Sequence, residues 1–212
     1  MTKIRVLKLG GSLLIRPDWP QSLRGWIGSQ TPALNLLIVG GGEIVEAVRQ
    51  LDRQHQLNTP FAHWLCVDLL AATTCIAGQL LPEMSMVESP EQLHQVLSGS
   101  SKVANNPTYL VQVAAFYSSH TRSSLLPEDW NTTSDALAAW LARQVHADEL
   151  ILFKSIDPPS TELTVMQLAE KGIVDRAIAD IVDGHFPLRI VNLATPTSIP
   201  GLEAVDLVSR RR

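Results

Sequence analysis

Hydrophobic residues along the chain form short, mostly apolar runs, and each run is followed by a segment with helical periodicity. Residues 4–9 (IRVLKL), 34–39 (LNLLIV) and 149–153 (ELILF) are runs whose length and composition are typical of strands buried on both faces. Between them, apolar residues recur every three or four positions, as they do on one side of a helix. This alternation predicts an α/β fold whose mostly parallel sheet is covered by helices on both faces.

The remaining segments continue the same alternation. Helices are predicted over residues 22–29, 43–55, 90–99, 134–146, 164–172 and 174–184, and a long apolar helix is predicted from residue 62 to an end near Gly78 or Pro82. Further strands are predicted over 85–87, 108–117, 187–193 and 204–209. The polar stretches 98–107 and 118–134 are predicted to be loops. No internal repeat or low-complexity tract stands out, and we expect one domain over residues 1–212.

Composition and charge exclude some partners. Hydrophobic residues make up 45% of the 212 residues and charged residues 18%, so a sizeable core is expected. The formal net charge is −4 and no dense block of Lys and Arg occurs, which argues against a nucleic-acid surface. The terminal Arg210–Arg212 triplet is predicted to be a solvated tail.

The two cysteines and the apolar runs bear on localisation. Cys66 and Cys75 lie in an apolar stretch, with no zinc spacing, and are expected to be buried free thiols in a reducing cytoplasm. The chain begins directly with a strand pattern, without the apolar segment of a signal peptide. The apolar runs are judged too short and too interrupted for a membrane span, so no membrane association is expected.

Lys8 is a charge within an apolar strand, directly before Gly10, Gly11 and Ser12. Glycines allow a tight turn that exposes backbone N–H groups, and a lysine beside such groups suits phosphate oxygens. The alternative is a lysine that extends from the strand end into solvent. Lys154 follows another apolar strand in the same way and has the same two interpretations.

Gly40, Gly41 and Gly42 lie between a predicted strand and a predicted helix. The first N–H groups of a helix have no partner within the helix and attract anions. A tight strand-to-helix turn is the alternative, but three consecutive glycines exceed what such a turn needs. We therefore favour a ligand-binding loop.

The sequence Thr132-Thr133-Ser134-Asp135 begins the helix predicted over 134–146. A hydroxyl at the N-cap followed by an acidic residue is ordinary helix chemistry, which is the favoured interpretation of these residues taken alone. In parallel sheets, however, ligands bind beyond the carboxyl ends of the strands. Two lysines and two glycine loops at one such edge describe a polyphosphate site.

Other phosphate and catalytic motifs are missing from the sequence. It contains no GxxxxGK[ST], GxSxG, HExxH or CxxC pattern. GGGEIV at residues 40–45 lacks the third glycine of a Rossmann fingerprint, so a nicotinamide-dependent oxidoreductase is a weaker alternative.

Three segments together resemble the amino acid kinase superfamily, which includes aspartokinase, acetylglutamate kinase, uridylate kinase and isopentenyl phosphate kinase. They are VLKLGGSLL, LLIVGGGEIVEAV and TSDALAAWLARQVHADELILFKSID, in the family's order. The resemblance implies a three-layer α/β/α sandwich with an open, mainly parallel sheet. It also implies transfer of a phosphoryl group from ATP, with Mg²⁺, to a carboxylate or phosphate acceptor.

The resemblance also implies roles for individual residues. Lys8 would hold the transferring phosphoryl group, Asp135 would orient the lysines, and Lys154 would contact the nucleotide phosphates. The implied catalytic residues are Lys8, Asp135 and Lys154. The implied nucleotide-binding residues are Gly10, Gly11, Ser12, Lys154, Ser155 and Asp157, and the implied acceptor-binding residues are Gly40, Gly41, Gly42, His63, Thr133 and Ser134. No metal ligands are assigned.

A closer resemblance is to the small archaeal-type kinases, among them the aminomethylfuran phosphate kinases of methanofuran synthesis. It rests on AHWLCVDLLAATTCIAGQLLP and LLPEDWNTTSDALAAWLA. In that branch the acceptor is a phosphate monoester, and His63 is a candidate for contacting its phosphate, with a capping or surface role as the alternative. Dimers are common in the superfamily, which implies a homodimer or larger homo-oligomer with residues 62–81 as the candidate interface.

The sequence also departs from the family pattern. KSIDPPS at residues 154–160 replaces the usual TDVDG, and GIVDRA offers only Arg176 in place of a later lysine. These changes concern the nucleotide side of the site. They leave open a second hypothesis, in which the protein binds a nucleotide or anion without catalysis.

Overall fold

The structure is a computed structural model that describes residues 2–99, 106–121, 123–157, 163–182 and 184–194, and the backbone of 205–207. The strands are β1 Ile4–Leu9, β2 Leu34–Val39, β3 Ser85–Val87, β4 Thr108–Val111, β5 Glu149–Lys154, β6 Leu188–Asn192 and β7 Val205–Leu207. The helices are α1 Trp19–Ser29, α2 Gly42–His55, α3 Thr59–Leu80, α4 Pro90–Gly99, α5 Ser134–Gln144, α6 Val165–Glu170 and α7 Arg176–Val182. Two 3₁₀ turns cover Gly11–Leu13 and Val113–Ala115.

The seven strands form one sheet in the order β3-β4-β2-β1-β5-β6-β7. The first six run parallel, and β7 pairs antiparallel with β6 at the edge. Helices cover both faces, which confirms the predicted fold class. Because β1 and β5 are central, the residues that follow them lie together at the carboxyl edge of the sheet.

Alternate residues of the central strands face two different cores. Val6 and Leu152 pack in the larger cluster, which contains buried residues of α5, α6 and α7. Leu7 and Phe153 point to the opposite face, where α1 supplies buried tryptophans. Both strands are therefore buried on both faces, as their mostly apolar runs predicted.

The strand predicted over 108–117 ends early. Its ladder with β3 stops at the Val87–Val111 pair, and the amide of Gln112 donates to the Val87 carbonyl oxygen (2.9 Å). The pairing with β2 ends at Leu110, and the chain then turns into the 3₁₀ helix at Val113–Ala115. The predicted loop at 98–107 lies largely outside the described residues.

Two expectations about the apolar helix are corrected. In the described part of the chain, α3 is one helix of 22 residues that is long and apolar enough to cross a membrane, which contradicts the estimate that no run was long enough. Its apolarity serves packing, because seven of its residues are buried in the fold. Cys66 is half-buried, but Cys75 is exposed, since α3 packs with one side and leaves the other open.

Candidate active site

The pairing of β1 with β5 places two lysines on the same face of the sheet. Lys8 lies opposite Leu152, so Lys154 is two residues further along the neighbouring strand. Side chains alternate between faces along a strand, and an even offset therefore keeps both lysines on one face. This is the face covered by α5, which packs against β1 and β5.

The first turn of α5 brings Asp135 between the two lysines. The Lys8 ammonium lies 2.8 Å from one carboxylate oxygen of Asp135, and the Lys154 ammonium contacts the other oxygen. The side chains of Lys8 and Asp135 are 6% and 3% exposed, and that of Lys154 is 18% exposed. Lys154 is thus the member of the cluster with the most solvent contact.

The ionisation of these groups is coupled. Burial opposes ionisation of Asp135, but the charges and hydrogen bonds of Lys8 and Lys154 outweigh it and lower the pKa of Asp135 to about 2. Burial is the largest influence on Lys8 and lowers its pKa, while Asp135 acts in the opposite direction. The charge on Lys8 therefore depends on Asp135.

Asp175, in the turn before α7, also contacts the start of α5. One of its carboxylate oxygens accepts hydrogen bonds from the amide and hydroxyl of Thr133, at 3.0 and 2.5 Å, and from the amide of Ala136, at 3.2 Å. Burial and the nearby charge of Asp135 raise the pKa of Asp175. Sequence reasoning missed Asp175, because an acidic residue directly before a short helix is a common cap.

The two glycine turns pack directly against each other. A Cβ atom on Gly11 would lie 2.1 Å from the amide nitrogen of Gly42, and Gly42 has a φ of +54°. The amide of Gly40 donates to the carbonyl oxygen of Leu9 (2.9 Å), which ties the second turn to β1. Close backbone approach is therefore one reason for the three consecutive glycines.

One implied role in the first turn is corrected. The amide of Gly10 donates to the carbonyl oxygen of Phe153 (2.9 Å), so it holds the turn to β5 and does not face a phosphate. In the described part of the chain, the amides of Gly11 and Ser12 have no such backbone acceptor. The hydroxyl groups of Ser12 and Ser155 lie 3.1 Å apart, which brings two predicted nucleotide-binding residues together.

Asp157, the last predicted nucleotide-binding residue, lies in the middle of the altered segment 154–160. Its carboxylate accepts a hydrogen bond from the side-chain amide of Asn192 at the end of β6 (2.7 Å). Residues 158–162 of the loop lie outside the described residues. Arg176 is exposed at the beginning of α7.

A small pocket lies on the acceptor side of the cluster. Its volume is about 60 Å³, and its walls include Gly41, His63, Thr133 and Ser134. Four of the six predicted acceptor-binding residues thus line one cavity. The rest of its wall is largely apolar, with Val45, Val67, Leu70 and Leu137 among the lining residues.

His63 is neither a cap nor a surface residue. Asn58 caps α3, and the buried His63 ring contacts the hydroxyl of Tyr117 at 3.1 Å. Burial is the main cause that lowers the pKa of His63, which favours the neutral imidazole at pH 7. His63 can therefore offer the pocket a hydrogen bond but no permanent charge.

Arg49 provides a cation at the pocket wall that the sequence analysis did not identify. Its guanidinium group bonds Glu46 at 2.9 Å and lies 4.8 Å from the ring centre of Trp130. The Trp130 indole N–H in turn donates to Asp52 at 2.6 Å. The helical spacing of Glu46 and Arg49 predicts their pairing, but the contact with Trp130 joins distant parts of the chain.

Within the described ranges, no group of three or more His, Cys, Asp or Glu side chains is arranged to hold a metal ion. The cations of the site are the two lysines and Arg49 at the pocket wall, and its other hydrogen-bond donors include backbone amides and hydroxyl groups. This set suits the binding of anions. It can hold phosphate oxygens and neutralise charge that moves between them.

Solved structures share this fold, although no protein-family model and no curated protein matches the sequence significantly. The UMP kinase from Ureaplasma parvum is 12% identical with a TM-score of 0.64, over 92% of this chain and 92% of that chain. Uridylate kinase from Archaeoglobus fulgidus is 16% identical with a TM-score of 0.61, over 90% and 91% of the two chains. UMP kinase from Bacillus anthracis is 12% identical with a TM-score of 0.64, over 92% and 89%. The chain therefore has the fold of the UMP kinases, as the sequence motifs implied.

Proposed function

We propose that the protein is an ATP-dependent kinase that transfers the γ-phosphoryl group to a small phosphate monoester or carboxylate. The observation that carries this proposal is the contact of Lys8 and Lys154 with the two oxygens of Asp135, at the sheet edge between two glycine turns. Phosphoryl transfer requires positioning and charge neutralisation more than covalent chemistry. A buried carboxylate that fixes two ammonium groups, and that opposes the effect of burial on Lys8, contributes to both.

The two sides of this cluster suit the two substrates. On the nucleotide side, phosphate oxygens would be bound by the amides of Gly11 and Ser12 and by the Lys154 ammonium. Mg²⁺ would arrive with those phosphates, because it binds through few protein ligands and neutralises their charge. Lys8, which is the deepest cation, would contact the group in transit.

The size of the pocket favours a small acceptor. Its volume of about 60 Å³ is well below the roughly 300–1,000 Å³ of sites that enclose drug-sized ligands. The apolar wall suits a compact ring or short chain, and Arg49 supplies a cation for a phosphate or carboxylate group. An aminomethylfuran phosphate-like acceptor combines a compact ring with a phosphate group, and we propose this class before a nucleotide.

A turnover assay tests the proposal. Purified protein with γ-labelled ATP and a panel of small phosphomonoesters and carboxylates should transfer label to an acceptor. Lys8→Ala should lower the rate at least about 100-fold, as removal of a transition-state charge contact does. Lys171→Ala removes an exposed lysine at the end of α6 and is the matched control. Equal rates for Lys8→Ala and wild type would refute the role of Lys8.

The same assay separates the alternatives. Calorimetric binding of ATP without label transfer to any acceptor would support the non-catalytic nucleotide-binding hypothesis. Binding of NAD in preference to ATP would revive the oxidoreductase alternative. Transfer of label excludes both as the main activity.

We also propose a cytoplasmic homodimer or larger homo-oligomer. The support for self-association is the outer side of α3, where Phe61, Ile76 and Leu80 are 57%, 48% and 44% exposed. Three large apolar side chains on one exposed helix form a surface that a second copy could cover.

A further inference from the structure

We propose that Asp175 is a positioning residue that fixes Asp135 and the acceptor pocket together. The inference rests on the proposed kinase function and adds a residue to its machinery. Asp175 lies 42 residues from Thr133 in the chain, in the turn between α6 and α7. Its contacts therefore arise from tertiary packing of that turn against the start of α5.

The geometry shows that Asp175 is the main cap of α5. Thr133 is the N-cap residue, but its hydroxyl oxygen is 3.5 Å from the amide of Asp135, which is long for a hydrogen bond. The carboxylate of Asp175 receives three shorter bonds, from Thr133 and Ala136. Hydrogen bonds to a charged acceptor are about twice as strong as neutral ones.

The anchored residues flank the functional ones. Asp135 lies between Thr133 and Ala136, so its backbone is held on both sides by a single carboxylate oxygen. Thr133 also lines the acceptor pocket. The hydroxyl proton of Thr133 is donated to Asp175, which directs a lone pair of the hydroxyl toward the amide of Asp135. One contact thus sets the position of the lysine-organising carboxylate and of a pocket wall.

All three hydrogen bonds are accepted by one oxygen of Asp175. Substitutions can therefore remove the negative charge with or without removing the acceptor. In Asp175→Asn, the amide oxygen can accept the same three bonds without the negative charge. Asp175→Ala removes both. If Asp175 acts by anchoring, asparagine should therefore rescue much of what alanine loses.

Steady-state kinetics of these variants give the first readout. We expect Asp175→Ala to lower kcat by about 10- to 100-fold, the size of effect that a small misplacement of reacting groups causes. The KM of Asp175→Ala for ATP should stay within about twofold of the wild-type value, because the nucleotide-side amides are on another turn. Asp175→Asn should recover at least about half of the lost kcat on a logarithmic scale. Asp180→Ala and Asp180→Asn, at an exposed position of α7, are the matched controls.

Hydrogen–deuterium exchange gives a second readout that needs no turnover. The peptide spanning the first turn of α5 should exchange faster in Asp175→Ala than in wild type and at near wild-type rates in Asp175→Asn. This result would be obtained even if the protein were not a kinase, so failure of the anchoring role and failure of the proposed activity are distinguishable.

Defined outcomes would overturn the inference. They are wild-type kcat in folded Asp175→Ala, unchanged exchange at the start of α5, or an asparagine variant as impaired as the alanine variant. If Asp175→Ala does not fold, Thr133→Val provides the test, because it removes one of the three donors. It should reduce kcat less than tenfold and accelerate exchange in the same peptide, and no change in either would refute the inference.

Discussion

The loss of stability on replacing a member of the buried ion cluster should be large for Asp135 and small for Lys8. Asp135→Asn leaves two ammonium groups facing each other, one of them on a buried lysine. Removing one partner of a buried ion pair destabilises by about 3–5 kcal/mol. Lys8→Met removes a buried charge but leaves Asp135 paired with Lys154, so its free energy of unfolding should change by less than about 2 kcal/mol.

The lowered pKa of Asp135 gives a second value for the stability that the ion cluster contributes. A decrease from 3.8 to about 2 corresponds to roughly 2 kcal/mol of stability at pH 7. Because the folded-state pKa lies below the unfolded one, this contribution is complete above the unfolded value. It is lost as pH falls through about 2. The stability difference between wild type and Asp135→Asn should therefore shrink over that acidic interval.

Urea denaturation monitored by tryptophan fluorescence checks these values, since the chain contains five tryptophans. The reasoning would be refuted if Asp135→Asn lost less than about 1 kcal/mol, or if Lys8→Met lost as much as Asp135→Asn. Both variants should be inactive. Loss of activity with retained stability in Lys8→Met would identify Lys8 as a functional residue that the fold itself does not require.

Two further predictions concern the glycine turn and the α3 surface. Gly42→Ala should lower the free energy of unfolding by at least about 1–2 kcal/mol, because Gly42 has a positive φ and the new Cβ would lie 2.7 Å from the carbonyl oxygen of Gly11. Gly28→Ala is the control, because a Cβ there would have no atom within 4 Å. Thermal melts of the two variants should show destabilisation for Gly42→Ala alone. Ile76→Asp on α3 should shift sedimentation toward monomer, whereas Leu51→Asp at an exposed site of α2 should not; a monomeric wild type would contradict the proposed assembly.

Local sequence patterns predicted most of the regular structure. Strand 34–39 and helix 90–99 have the predicted bounds, because the first is a mostly apolar run followed by glycines and the second begins with proline and ends with glycine. Strand 108–117 was overextended, since its pairing with β3 ends at Val87 and its pairing with β2 ends at Leu37. Strand ends set by a neighbour are not visible in the strand's own sequence.

The candidate site was predictable where one residue type stands out locally. Lys8 and Lys154 are charges within apolar strands, and their sequence context alone raised the question of a partner. Asp175 and Arg49 were missed for the opposite reason. An acidic residue before a helix and an arginine on a polar helix surface are common, and only tertiary contacts with Thr133 and Trp130 distinguish them.

The register of the sheet explains why the cluster can both persist and act. Lys8 and Lys154 share a face because they are two residues apart across paired strands, and a one-residue slip would turn Lys8 into the opposite apolar core. Each ammonium group has three donors and contacts Asp135. The carboxylate thus offsets the cost of burying Lys8, and each ammonium group has more donors than its contact with Asp135 uses. The direction of those donors is fixed only if Asp135 itself is held in position.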